Sequence, residues 1–227
     1  MQKNTKSVTL DLMLSTASTK ALDKPFSEVI SYTSEMIIAQ CYKESISDTT
    51  LNKSIIQGST IKVISSYDSS YAAFGIIAKI NNSSLDNIHK PSALGLTPKE
   101  LAHLQPQVYD LLRKELEICL FAYQEKGQIY KHLPLKPFMI HDFVYLTNQE
   151  EVLQLTENFS TLINVIKKNH LNLELLLAPV IEGYKLRDYN YQYLLKVGRE
   201  LTHAFSDEVE TLIPTLKRLS EEQKKTN

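Results

Sequence analysis

Apolar and polar positions along the chain change rhythm twice. From about residue 25 to residue 146 the rhythm is that of strands. Met36, Ile37, Ile38, Ala39, Gln40, Cys41 and Tyr42 form a run dense enough for a strand buried on both faces. Ile61, Val63 and Ser65 alternate with Lys62, Ile64 and Ser66. Ala72, Phe74, Ile76, Ala78 and Ile80 recur at every second position, which places them on one face of a strand. Gly75 inside that run marks a bulge or a close approach. Further strands are expected over residues 116–124, 128–133 and 138–146, the first two joined by the turn Glu125-Lys126-Gly127.

A helical insert over residues 97–114 interrupts the strands. Thr97 can cap the free amides of a helix start, Pro98 suits the first helical position, and Glu100 can close a capping box. Pro106 ends that turn or opens a second one, in which Val108, Leu111 and Leu112 share a helical face.

From residue 147 to residue 227 the period is helical. Thr147-Asn148-Gln149-Glu150 reads as a second capping box. Phe159, Ile163 and Ile166 make one stripe, and residues 173–180 continue to a stop expected at Gly183. Leu194, Val197, Leu201 and Phe205 form a further stripe, and Val209, Leu212, Ile213, Leu216 and Leu219 another, with Pro214 expected to kink or delay that helix. Both stripes cannot be assumed to face inward: one covers the barrel or a neighbouring helix, the other is a candidate partner groove. Residues 1–24, polar apart from Val8, Leu10, Leu12, Met13 and Leu14, read as a flexible arm or an edge strand.

The expected fold is therefore α+β: a small closed β-barrel of about six strands over 25–146, a helical insert at 97–114, and a C-terminal helical region over 147–227. A chain of 227 residues buries enough surface to fold without metals or disulfides. Its two cysteines, Cys41 and Cys119, lie in strand-like runs and read as buried thiols of a reducing compartment. The apolar stretch near residue 10 is short for a signal segment, and no apolar run reaches the 18 residues of a membrane span. The expected location is the cytoplasm or a plastid stroma.

The chemistry of the common sites is not written in the sequence. There is no G-x-x-x-x-G-K-[ST] loop, no G-x-G-x-x-G, no H-E-x-x-H and no C-x-x-C. His141 and Asp142 are adjacent, so a strand would send them to opposite faces. His132 and His141 could meet across strands, and Glu115 and Glu117 share a face, but satisfied surface side chains account for both pairs. Arg113-Lys114 and Lys167-Lys168 could touch phosphate, yet the net charge is -1. No catalytic, cofactor-binding or metal-ligating residue is assigned, and the chain is not expected to be an enzyme.

One family resemblance goes further. Glu28-Val29-Ile30-Ser31 through Ala39-Gln40-Cys41-Tyr42 is similar to the first hairpin of the HAS-barrel family, the barrel of HerA-type helicases and rotary ATP synthase subunits. Phe74-Gly75-Ile76-Ile77 through Ile80 resembles its next barrel strand. Ala93-Leu94-Gly95-Leu96-Thr97, Glu100-Leu101, the segment Gln105-Pro106-Gln107-Val108-Tyr109-Asp110-Leu111-Leu112, and Glu115 are similar to stand-alone members of cyanobacteria and plastids. So are Tyr130, Leu133-Pro134, Pro137 and the run Ile140-His141, Phe143-Val144-Tyr145. The resemblance spans about residues 26–220, and Met36-Ile37-Ile38 departs from it where relatives tend to carry an aromatic residue. It implies a six-stranded barrel that docks and assembles beside an ATPase without catalysing. Helices follow Tyr145 here where a helicase has its nucleotide domain, so helicase activity is not implied. The expected role is an assembly module for an oligomeric protein partner, or self-association. The alternative is a nucleic-acid-associated accessory beside a HerA-type ATPase. Nucleic acid itself would be held weakly.

Overall fold

The computed structural model describes residues 24–86 and 92–226. The expected N-terminal arm, apart from Lys24, lies outside them. Seven strands form one antiparallel sheet: β1 (Ser27–Tyr32), β2 (Met36–Cys41), β3 (Thr60–Ile64), β4 (Tyr71–Ser84), β5 (Leu112–Glu125), β6 (Gln128–Tyr130) and β7 (Phe143–Leu146). Their order is β2-β1-β7-β3-β4-β5-β6, and pairing of β2 with β5 closes the sheet into a six-stranded barrel with β6 hanging outside on β5. The fold is α+β, as the chain's two rhythms predict.

The interior is filled by side chains. Val29, Ile37, Ala39, Ile61, Val63, Ile77, Leu116, Ile118, Leu120 and Val144 are fully buried there. Phe138 stacks on Tyr71 at one end, with ring centroids 5.6 Å apart. The double-sided strands are β4 and β5, where Phe74, Ile76, Cys119 and Phe121 point outward into a second core beneath the helices. The run at Met36 is not of this kind: only Ile37, Ala39 and Cys41 of β2 are buried, in strict alternation. Two bulges in β4, after Phe74 and after Ile77, also break the single face expected from Ala72 to Ile80. Phe74, Ile76 and Ala78 face the helices, while Ile80 packs on the barrel interior. Gly75 sits at the first bulge, where a Cβ would stand 2.4 Å from Cγ2 of Ile118.

Two short helices that the sequence pattern did not announce, α1 (Lys43–Ser47) and α2 (Thr49–Ser54), link β2 to β3, and Ile55 after them enters the barrel core. The insert holds α3 (Pro98–Leu104) and α4 (Pro106–Leu111). Its capping box is formed: Glu100 N donates to Thr97 Oγ1 at 3.3 Å, and Thr97 N to Glu100 Oε2 at 2.8 Å. The helix stops at Leu111, earlier than expected, because Leu112, Arg113 and Lys114 are taken up by pairing with Ser84, Ser83 and Asn82.

The C-terminal region comprises α5 (Gln149–Leu155), α6 (Ser160–Lys168), a 3-10 turn (Leu173–Leu176), α7 (Leu177–Lys185), α8 (Tyr191–Ala204) and α9 (Val209–Thr226). Its capping box lies one residue later than read: Asn148 caps, with Glu151 as its partner. Thr147 instead turns its hydroxyl to Thr60, 2.6 Å away. Gly183 lies inside α7 and does not stop it. A Cβ there would meet Tyr193 Oη at 2.6 Å and Thr156 Oγ1 at 2.7 Å, so the glycine admits a tight helix contact. Pro214 is accommodated within α9. Among the described residues no helix is long and apolar enough to cross a membrane.

Candidate interaction surfaces

Strands β4 and β5, each 14 residues long, outrun their neighbours. Pairing with β3 ends at Ile76 and pairing with β2 ends at Glu115. Beyond that a two-stranded ribbon of Asn81–Ser84 against Leu112–Glu115 carries the insert outward. Leu85 N donates to Leu111 O at 2.8 Å and pins the insert's two ends together. Lys43 clamps its base: Nζ donates to the carbonyls of Tyr109 (2.9 Å), Asp110 (2.8 Å) and Leu112 (2.5 Å), and lies 5.6 Å from the centre of the Tyr109 ring. Tyr109 and Asp110 lie in the last turn of α4, where a cation meets the negative end of the helix. Burial, and then the neighbouring Arg113, pull the Lys43 ammonium below its ordinary range.

The insert is thus capped, pinned and clamped, yet neither of its helices buries a residue. Leu104 is 60% exposed, Leu85 58% and Leu94 45%. A short helix pair held rigidly with leucines in water has the makings of a recognition element rather than a core element.

A second apolar surface lies at the opposite end of the barrel. Tyr67 and Leu135 are 80% and 87% exposed, and Met139, Ile140 and Phe143 are partly so. Asp142, itself buried, fixes both loops there: Oδ1 accepts Ser66 N at 2.9 Å and Oδ2 accepts Met139 N at 2.8 Å. Asp142 and His141 form a turn and not the strand expected over 138–146, with His141 at φ +74°. The predicted divergence of the two side chains survives by another route: Asp142 points in, while His141 Nδ1 lies 3.2 Å from Glu28 Oε1. Pro134 and Pro137, which lack an N–H, hold this link outside the ladder.

The basic dipeptides are spent on structure. Arg113 donates to the carbonyls of Asp110 (2.7 Å) and Leu112 (2.9 Å), and Lys114 to Asn52 Oδ1 (2.6 Å). Lys167 donates to the carbonyl of Ala204 at the end of α8, and Lys168 to Glu35 Oε1 at 2.5 Å. Glu117 takes Lys79 at 3.1 Å and Asn81 at 3.0 Å. Among the described residues no group of three or more His, Cys, Asp or Glu side chains is placed to hold a metal ion. Cys41 and Cys119 are both free and buried, and burial pushes each thiol up to about 11.

Neither C-terminal stripe is wholly covered: Val209 and Ile213 are 50% and 58% exposed, and Leu194 and Leu216 are half-buried. Val197, Leu201 and Phe205, and Leu212 and Leu219, are all buried in one cluster with the outer face of β4 and β5. Neither is a wholly free partner face, and Leu194 of one stripe and Leu216 of the other line an open groove between α8 and α9. The exposure of the insert's leucines is not legible in the sequence, because leucines scattered over loops and one short helix carry no periodic signal.

Searches of protein-family models and of curated proteins find no match to this chain.

Proposed function

We propose that this chain is a HAS-type barrel acting as a non-catalytic assembly module, which docks on an oligomeric protein partner, in the cytoplasm or a plastid stroma. One observation carries the reading: the insert is locked in place by Lys43 while neither of its helices holds a fully buried residue. Holding a short helix pair in one geometry costs conformational entropy, so the order is in place before a partner arrives and the entropic cost of binding falls. The motif resemblance and the six-stranded closure agree with this reading.

The test replaces residues 86–110 with a tight turn joining β4 to β5. The variant and the full chain are compared by light scattering and by affinity purification from the host. The variant melts as the full chain does but loses its assembly partner or its self-association. Unchanged assembly would overturn the proposal, and retention on single-stranded DNA in place of protein would support the nucleic-acid accessory role.

A further inference from the structure

Gly198 stands in the middle of α8, where glycine is among the most costly residues for a helix. At Gly75 and Gly183 an added Cβ would collide with neighbours, so packing requires those glycines. At Gly198 a Cβ would meet only Cδ2 of Leu216, at an ordinary 4.0 Å. Neither its backbone angle nor the packing of this chain calls for glycine there.

Gly198 lies in an open groove of about 530 Å³ between α8 and α9. Leu194, Leu195 and Leu216 supply apolar walls, and the ionisable groups lining it are Arg199 and His203. Arg199 is exposed and has no ion pair or side-chain hydrogen bond among the described residues. Ile213, one turn before Leu216 on α9, is exposed as well and continues the apolar surface.

We infer that this groove takes an amphipathic helix of another protein, with an apolar row flanked by carboxylates. A missing side chain between two helices lets a third backbone approach closely, as small residues do wherever helices pack tightly. The apolar walls take the row, and Arg199 pairs with a carboxylate at the rim. A second copy of this chain fits less well. A twofold contact of α8 on α8 across Gly198 would set two Arg199 side chains against each other. The carboxylate of α8, Glu200, is already held by Phe159 N at 3.0 Å.

The test places a photo-crosslinking residue at Thr202, on the groove, in the full chain expressed in its own cells, with Lys126 on the β5–β6 turn as control site. Crosslinked peptides are sequenced by mass spectrometry. The expected adduct is a peptide of another protein with Asp or Glu beside an apolar helical row, reduced at least tenfold by Arg199→Glu. Gly198→Leu, checked for folding by circular dichroism, also removes it. Replacing the insert leaves it unchanged, so this inference and the assembly role fail separately. An adduct with a second copy, an adduct with a peptide lacking that pattern, or none above the Lys126 control would overturn it.

Discussion

Lys62 Nζ on β3 lies 2.5 Å from Oε1 of Glu151 on α5, and the other oxygen of the same carboxylate accepts Asn148 N at 2.9 Å. One side chain therefore completes a helix cap and ties the helical region to the barrel wall. Both partners are largely buried, with side chains 19% and 9% exposed.

Glu151→Gln keeps a carbonyl oxygen for the cap but leaves the Lys62 ammonium without its counter-charge. The expected loss is about 3 kcal/mol, the low end for breaking a buried pair. Glu151→Ala costs about 1 kcal/mol more, because the cap goes too. Urea unfolding of the two variants measures both steps, and equal losses would show that the cap contributes nothing.

Leu212 and Ile213 are neighbours in sequence with opposite surroundings: Leu212 is buried, and Ile213 is 58% exposed. Leu212→Ala should cost about 2–5 kcal/mol by leaving a cavity. Ile213→Ala should stay within about 0.5 kcal/mol. Thermal melts distinguish them. A charged residue at position 212 would report unfolding of the helical region rather than loss of a partner contact.

The glycines separate in the same way. Gly75→Ala and Gly183→Ala each force a neighbour to move and should destabilise by about 1–3 kcal/mol. Gly198→Ala should stabilise by up to about 1 kcal/mol through helix propensity alone. Chemical denaturation of the three variants checks the signs, and a destabilising Gly198→Ala would place hidden strain at the groove.

Alkali should unfold the protein in stages. Burial raises Cys41 and Cys119 from 9.0 to about 11, and Tyr193 from 10.0 to about 12. The unfolded chain ionises first, so each group's contribution is whole below its unfolded value and is lost as pH climbs to the folded one. Stability should fall from pH 9 upward, and less steeply between pH 10 and 12 in Tyr193→Phe. That variant should also be no weaker at neutral pH, since the buried Tyr193 Oη makes no hydrogen bond of good geometry among the described residues. Thiol labelling at neutral pH should follow unfolding. Rapid labelling of the native chain would contradict the burial of both cysteines.

Single-stranded DNA should bind weakly and with a small salt slope, because the paired basic residues donate to carbonyls and carboxylates of the chain itself. Fluorescence anisotropy at physiological salt measures this. Sub-micromolar affinity would favour the nucleic-acid accessory role.

Much of this architecture is legible in the chain. Alternation over Ile61–Ser65, the Thr97-Pro98-Lys99-Glu100 start and the period-3.6 stripes after residue 147 are local signals, and their elements formed. What is not legible depends on distant partners. Leu111 and Leu112 continue one helical face, but Ser84 captures Leu112 for the sheet. Asn148 rather than Thr147 caps α5, because Thr60 binds the Thr147 hydroxyl. The exposed apolar surfaces are hard to read for the same reason. Periodicity marks an apolar stripe without saying what covers it, and neighbouring helices cover most of the two stripes after residue 190 while leaving Val209 and Ile213 exposed.

Pairing of Ser27 and Glu28 with Val144 and Phe143 joins the two ends of the barrel's sequence. On the ribosome, therefore, no closed barrel exists until β7 has left the exit tunnel. Phe74, Ile76 and Phe121 then still stand bare on the outer wall until the last helices are made. The nascent chain passes through a stage with a finished barrel and a sticky flank. A truncated message ending after β7 should yield a product that needs a holdase chaperone to stay in solution.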